Sequence, residues 1–428
     1  MKLFKNACIP TSSSALKRIN ILFDEQIIKI SKDEILCEEP VEVIDLEGAL
    51  LLPGAVDAHS AIMIDPESHA SDLENVSRDA ICGGWTTLSE MSFHTGLPCF
   101  DGSALKKIKA QIDDSSYCDM GLWGHIDVDE YPYYNESAQD LWQSGLVGIL
   151  LMNPSPNPKI KALSFTEIMD LFLDIYDSDT LFAFQGFDLE EGDDFNAMTQ
   201  SSAIKKLLRR MQENPIHLPQ VTDFEVIEFI NSVSKRSDIS FSLGISDFMD
   251  VFNNVKRENE LPLGFEERLP EFMELLRTNK IYMFSNNVVC KPVVKKPADI
   301  FLGASPSRLI YSYVWMLSEL WKKKNIPLAT CIKMCSENPA KRLGLYPQKG
   351  AIDPKSDADF VVFDVDGKTS TGEMDRYGNE LILAGAIKSV YLRGELVYDG
   401  TGLPLRRGHF VQRKNSPKRR HNKSSWIS

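Results

Sequence analysis

Residues 46–61 read LEGALLLPGAVDAHSA, and the fold turns on how this stretch is taken. An apolar run, Leu50 to Leu52, passes through Pro53-Gly54 into Ala55-Val56 and ends at His59. A run without polar alternation reads as a strand buried on both faces, the setting of a parallel sheet covered by helices. His59 then stands where the strand leaves the sheet.

Upstream of this stretch, Lys17–Phe23, Gln26–Ile30 and Val41–Ile44 are short Ile- and Val-rich segments with polar breaks, and they read as strands. Downstream, strands alternate with helices to about residue 345. The strands are expected at Thr86–Met91, Gly121–Ile126, Leu146–Met152, Leu181–Phe187, Ile239–Ile245 and Ile281–Ser285, with a seventh near Met249–Val255. Helical periodicity lies between them at Leu73–Cys82, Ala104–Ile112, Phe165–Asp174, Ala203–Glu213, Phe224–Val233, Phe265–Arg277 and Ile310–Lys323. About eight such units imply a closed (β/α)8 TIM barrel over residues 51–345. From residue 346 strands return, at Asp359–Asp364, Ala386–Leu392 and Glu395–Tyr398. Strand-rich ends on either side of a barrel suggest that residues 1–50 and 346–412 pair into one small β domain.

The 428 residues suffice for this plan, and 43% hydrophobic with 25% charged residues is ordinary for a chain that buries a real core. A net charge of −14 argues against general nucleic-acid binding. The positive charge is concentrated at the end, where residues 413–428 carry Arg413, Lys414, Lys418, Arg419, Arg420 and Lys423 and no acid. This tail is expected to be disordered, with an acidic partner or anionic lipid as its sharper readings. Eight scattered cysteines form no CxxC pair and no disulfide framework. The N-terminus lacks the apolar segment of a secretory signal, and no apolar run reaches the roughly 18 residues of a membrane span. A cytoplasmic setting is the expectation.

Several segments resemble the cyclic amidohydrolases, the family of dihydroorotase, allantoinase and hydantoinase. LLPGAVDAHSA resembles the first barrel strand of that family, usually PG-x-x-D-x-H-x-H. AICGGWTTLSEM resembles the second strand, SGLVGILLM the fourth and KIYMFSNN the eighth, while SENPAKRLGLYPQKGAIDPKSDADFVVFD resembles the passage from the last barrel helix into the C-terminal sheet. The resemblance runs over roughly residues 1–412. It implies a (β/α)8 barrel joined to a small β-sandwich made from the N- and C-terminal segments.

The resemblance also implies a chemistry. Two divalent ions activate a bridging water and polarise the amide carbonyl. Their ligands are two histidines on strand one, a carbamylated lysine on strand four and one histidine each on strands five and six. An aspartate on strand eight carries the proton. Against this pattern the chain keeps His59 and departs elsewhere. Ala61 stands at the second histidine position, and Leu150 at the lysine position. Gln185 stands on strand five and Ser242 on the segment taken as strand six. Asn286 replaces the aspartate, and Asn287 the histidine after it. Methyl and isobutyl groups have no lone pair, and a neutral amide does not accept a proton. Met63 stands where a substrate-binding arginine is expected, and His94 where an asparagine is expected.

Of what remains, His59 reads as a hydrogen-bonded pocket histidine or as part of a rebuilt single-metal site. Its candidate helpers are His125 and Asp127 after strand three, with His94 and Glu90 after strand two. Asp188, Glu190, Glu191, Asp193 and Asp194 read as a solvated loop, Cys290 as a small hydrophobe, and Tyr131, Tyr133 and Tyr134 as surface packing. The leading expectation is therefore a pseudoenzyme that binds no metal cofactor. It would be kept as a scaffold that forms a homo-oligomer or meets a protein partner. The alternative is an active hydrolase of cyclic amides with one divalent metal (zinc) at a remodelled site. A third reading is a sensor of a ureide or pyrimidine-like ligand.

Overall fold

A computed structural model describes residues 1–414 apart from 12–14, 64, 66, 94–96, 128, 130–133, 156, 158, 175–178, 189–196, 211–214, 222, 234–237, 253–267, 291–304 and 376. Eight parallel strands form a ring. Strand one is split into Ala55–Val56 and Ser60–Ala61. Strands two to seven are Trp85–Glu90, Asp119–Gly124, Gly148–Asn153, Phe182–Gly186, Ile216–Leu218 and Ile239–Gly244. Strand eight is split into Met283–Ser285 and Val288–Val289. Its first half pairs with strand seven and its second half with strand one, which closes the barrel.

The chain folds this way because its strands are apolar on both faces. Outward residues such as Leu88, Leu122, Leu151, Phe184 and Phe241 join the helices His69–Cys82, Gly102–Ser115, Phe165–Asp174 and Phe224–Val233 in one core. Inward residues Ala61, Trp123, Leu150, Ala183 and Met283 belong to a second apolar cluster that fills the barrel. Burial of that kind contributes ~1.5–3 kcal/mol per large side chain. Trp123 fits inside only because Gly148 faces it: a Cβ on Gly148 would lie 2.4 Å from the indole ring.

Two strand assignments need correction. The sixth strand is Ile216–Leu218, a segment the sequence reading passed over, and Ile239–Gly244 is therefore the seventh. The stretch Met249–Val255 is not a strand: its described part lies in the helix Ile245–Phe252, with Ile245, Phe248 and Met249 buried at helical spacing. Residues 253–255 lie outside the described residues.

The two ends of the chain pair into one sheet. Lys2–Pro10, Leu16–Phe23, Ile27–Ser31, Glu42–Asp45 and Leu50–Pro53 join Phe360–Met374, Glu380–Leu392 and Glu395–Tyr398. The bond between the ends is Leu50–Pro53 against Phe360–Phe363, antiparallel. Phe4, Phe23, Phe360 and Tyr391 pack ring to ring in this domain, with centroids 4.6–6.5 Å apart. Arg413, counted above with the basic tail, is buried. Its guanidinium lies 3.3 Å from the centroid of Trp142 and donates to the carbonyls of Leu146 and Trp142. Residues 415–428 lie outside the described residues. None of the eight cysteines forms a disulfide, and no described helix is long and apolar enough to cross a membrane.

Candidate functional site

The candidate site lies at the C-terminal ends of the barrel strands and is built around Asp57 and His59 on strand one. Asp57 is fully buried. Its Oδ1 accepts from Ser285 Oγ at 2.7 Å and from the backbone N–H of Asn286 at 2.8 Å, and its Oδ2 accepts from Ser60 Oγ at 3.2 Å. One carboxylate thus clasps strand one to strand eight across a seam that has two backbone-paired positions. Burial pushes its pKa up to about 6 against these hydrogen bonds.

His59 is also fully buried, and burial pushes its pKa down to about 3, so the imidazole is neutral. Its Nδ1 lies 3.3 Å from Ser285 Oγ. The ring stacks on His217, with centroids 4.8 Å apart and planes 11° apart, and lies near-parallel to Trp123 at 5.7 Å. His217 comes from strand six, its Nδ1 2.8 Å from Ser240 Oγ. Burial, with His59 and Arg342 as further contributors, holds it well below the usual histidine range. Neither His59 Nε2 nor His217 Nε2 has a hydrogen-bond partner among the described residues.

His217 is the residue the sequence reading missed. Ser242, assigned there to strand six, sits on strand seven opposite Met283, and its Oγ accepts the backbone N–H of Gln220. Strand six carries a histidine, where the resemblance places one. The chain therefore has imidazoles at two of the six positions. The signal available was IHLPQ, residues 216–220, an apolar-flanked histidine ahead of a proline.

The remaining positions are placed as follows. Ala61 and Leu150 are buried in the apolar cluster that fills the barrel. Gln185 is buried on strand five, with its Nε2 donating to Gln220 Oε1 at 3.3 Å. Asn286 and Asn287 are buried, and neither side-chain amide has a partner among the described residues. Met63 is buried, and its N–H faces Glu90 at 3.4 Å. Glu90 accepts from Ile62 and Ser92 as well, and burial pushes its pKa up to about 7. His125 donates from Nε2 to the Met91 carbonyl at 2.7 Å, which leaves Nδ1 without a partner. Asp127 is half-buried and accepts the backbone N–H of Asp129. His94, Glu190, Glu191, Asp193, Asp194, Tyr131 and Tyr133 lie outside the described residues, as does the side chain of Tyr134. Asp188 departs from the solvated-loop expectation: it is buried and paired with Lys206.

A two-ion centre does not fit this arrangement. Ala61 and Leu150 offer no donor atom, and Asn286 offers a neutral amide where a carboxylate is needed. The two surviving imidazoles are stacked with planes 11° apart, so the in-plane lone pairs of the two rings lie in separate, near-parallel planes. Among the described residues, the acidic groups that do converge are Asp119, Asp357 and Asp359. They sit elsewhere, at the N-terminal end of strand three, and already surround a cation. Lys349 Nζ lies 2.5, 2.9 and 2.8 Å from the three carboxylates.

Comparison with known proteins agrees with this fold. Residues 303–397 match the model of the Amidohydrolase family. The chain is 24% identical to the L-hydantoinase of Paenarthrobacter aurescens, over 95% of this chain and 97% of that protein. It is 23% identical to an allantoinase of Rubrobacter xylanophilus, over 84% and 86%. The solved structure of L-hydantoinase (dihydropyrimidinase) from Arthrobacter aurescens superposes with a TM-score of 0.78 at 22% identity, covering 96% of this chain and 99% of that one.

Proposed function

This chain fits the cyclic amidohydrolase family, and from that premise we propose that its barrel is kept for binding or assembly and does not hydrolyse cyclic amides through a two-ion centre. The observation that carries this reading is the donor inventory at the barrel ends: a methyl group at Ala61, an isobutyl group at Leu150 and a neutral amide at Asn286. Without a bridging ligand two ions are not held together over one water, and the neutral amide of Asn286 at the strand-eight position does not accept its proton. A fold conserved without its chemistry is available as a surface for a second copy or a protein partner, or as a pocket for a ureide or pyrimidine-like ligand. The test is metal content after metal-free purification and zinc back-titration, together with assays on hydantoin, allantoin and dihydroorotate.

A second reading rests on His217. Two neutral imidazoles with unpartnered Nε2 atoms, beside Gln185, are the raw material of a single-zinc site if one ring turns out of the stack. That reading requires His59→Ala to remove bound metal and turnover together. Loss of neither refutes it.

A further inference from the structure

The hydroxyl of Ser285 has only one proton to give. It donates that proton to Asp57 Oδ1 at 2.7 Å, an acceptor-only carboxylate when ionised. Its oxygen is then left to accept, and the group facing it at 3.3 Å is His59 Nδ1. A neutral imidazole carries one N–H, so the proton must be on Nδ1 and Nε2 must be a bare lone pair. The backbone N–H of Asn287, 3.4 Å from the same oxygen, reinforces its role as acceptor. Nε2 is fully buried and has no partner among the described residues.

We infer that Asp57, acting through Ser285, fixes His59 as the Nδ1–H tautomer, and that its Nε2 is the acceptor end of a binding site for an uncharged ligand bearing an N–H donor. Asp57 and Ser285 are positioning residues in this scheme: they act on the ligand only through the imidazole. The ligand is uncharged because the surrounding groups are. His217, Gln185, Ser242, Asn286 and Asn287 are neutral, and the Asp57 carboxylate is already met by three donors. A carboxylate buried there would lose its hydration, and none of His217, Gln185, Ser242, Asn286 and Asn287 offers it a positive charge. Asn286 and Asn287, with both amide atoms unpartnered, supply the complementary donors and acceptors for a carboxamide. The inference does not depend on whether the chain hydrolyses anything.

The test uses the full chain with 15N-labelled histidine, read by long-range proton–nitrogen spectra, with His59→Gln assigning the His59 signals. The expected result, read at pH 7.5 where Asp57 is ionised, is a protonated Nδ1 and an unprotonated Nε2. Ser285→Ala should abolish the tautomer bias and Ser285→Thr should restore it. A titration with acetamide should shift the His59 Nε2 resonance, and acetate at the same concentration should not. An Nε2–H tautomer in the unmodified chain overturns the inference, and that spectrum stands even if Ser285→Ala fails to fold. Acetate acting like acetamide, or neither shifting the signal, overturns the binding site. Stoichiometric zinc in the purified chain would instead refute the non-hydrolytic function and leave the tautomer result untouched.

Discussion

Replacing Lys349 by alanine removes the one ammonium from a cage of three carboxylates. Lys349 is 1% exposed, and Asp119, Asp357 and Asp359 are at most 4% exposed. The cluster ties strand three of the barrel, through Asp119, to the terminal sheet, through Asp357, Asp359 and Arg393, and His409 approaches Asp119 at 3.1 Å. Burial opposes the ionisation of Asp119, but Lys349, His409 and Arg393 together overcome it and hold its carboxyl well below the usual range. Burial likewise opposes the charge on Lys349, and the three aspartates outweigh it. Breaking a buried ion cluster by removing one partner costs about 3–5 kcal/mol, because the charges left behind are uncompensated. The expected outcome of Lys349→Ala is a loss of that size in urea denaturation at pH 7. In the unmodified chain Asp119 keeps its charge down to pH 4, whereas in the variant the buried aspartates left without the ammonium are harder to ionise. The gap between the two proteins should therefore narrow from pH 7 to pH 4 as the orphaned aspartates take up protons. Calcium should partly rescue the variant, by about 2.7 kcal/mol at a hundredfold excess over its dissociation constant, and leave the unmodified chain unchanged. A cost below about 1 kcal/mol, or a gap that is flat with pH, would refute the view of this cluster as the clamp between the two domains.

Three further outcomes follow from the same reasoning. Asp57 has a native pKa raised to about 6 from 3.8, so its contribution makes the fold less stable as pH rises from about 4 to about 6, by roughly 3 kcal/mol in all. Asp57→Asn should flatten that part of the stability curve, and an unchanged slope in urea midpoints at pH 4.5, 5.5 and 7 would contradict it. Leu150→Ala should cost ~2–5 kcal/mol as a cavity inside the barrel, checked by thermal and urea unfolding; a cost near zero would mean Leu150 does not pack the interior. Gly186→Ala should destabilise strongly or block folding. The residue adopts φ +145°, and a Cβ would lie 2.0 Å from the Asn153 carbonyl oxygen. Normal expression and melting of that variant would show the strand four–strand five junction to be misread.

The parts of the fold that were legible in sequence are those with long apolar strands or a dense motif. LLPGAVDAHSA and KIYMFSNN place strands one and eight, whereas the closing ladder between Ser60–Ala61 and Val288–Val289 lies just past the end of the second motif. Strand four was legible because GILLMN, residues 148–153, is a continuous apolar run. Strand six was not, because its ladder is three residues long, Ile216–Leu218, too short for any periodicity to register. Without it the strand count shifts by one, which puts Ser242 on strand six and a seventh strand inside the helix Ile245–Phe252. That helix carried its own signal, since Ile245, Phe248 and Met249 are spaced by three and one, as a helix face requires. The Asp57–Ser285–His59 chain was beyond sequence reasoning, since its members are 226 and 228 residues apart and meet only when the barrel closes.

The atoms that the barrel ends can offer to a cation separate a binding barrel from a hydrolase. The most direct measurement is elemental analysis of the chain after metal-free purification, zinc back-titration and desalting, run beside hydrolysis assays on hydantoin, allantoin and dihydroorotate. The expected result is no stoichiometric ion and no turnover above the uncatalysed rate. Two tightly held zinc ions per chain with measurable ring opening would contradict it.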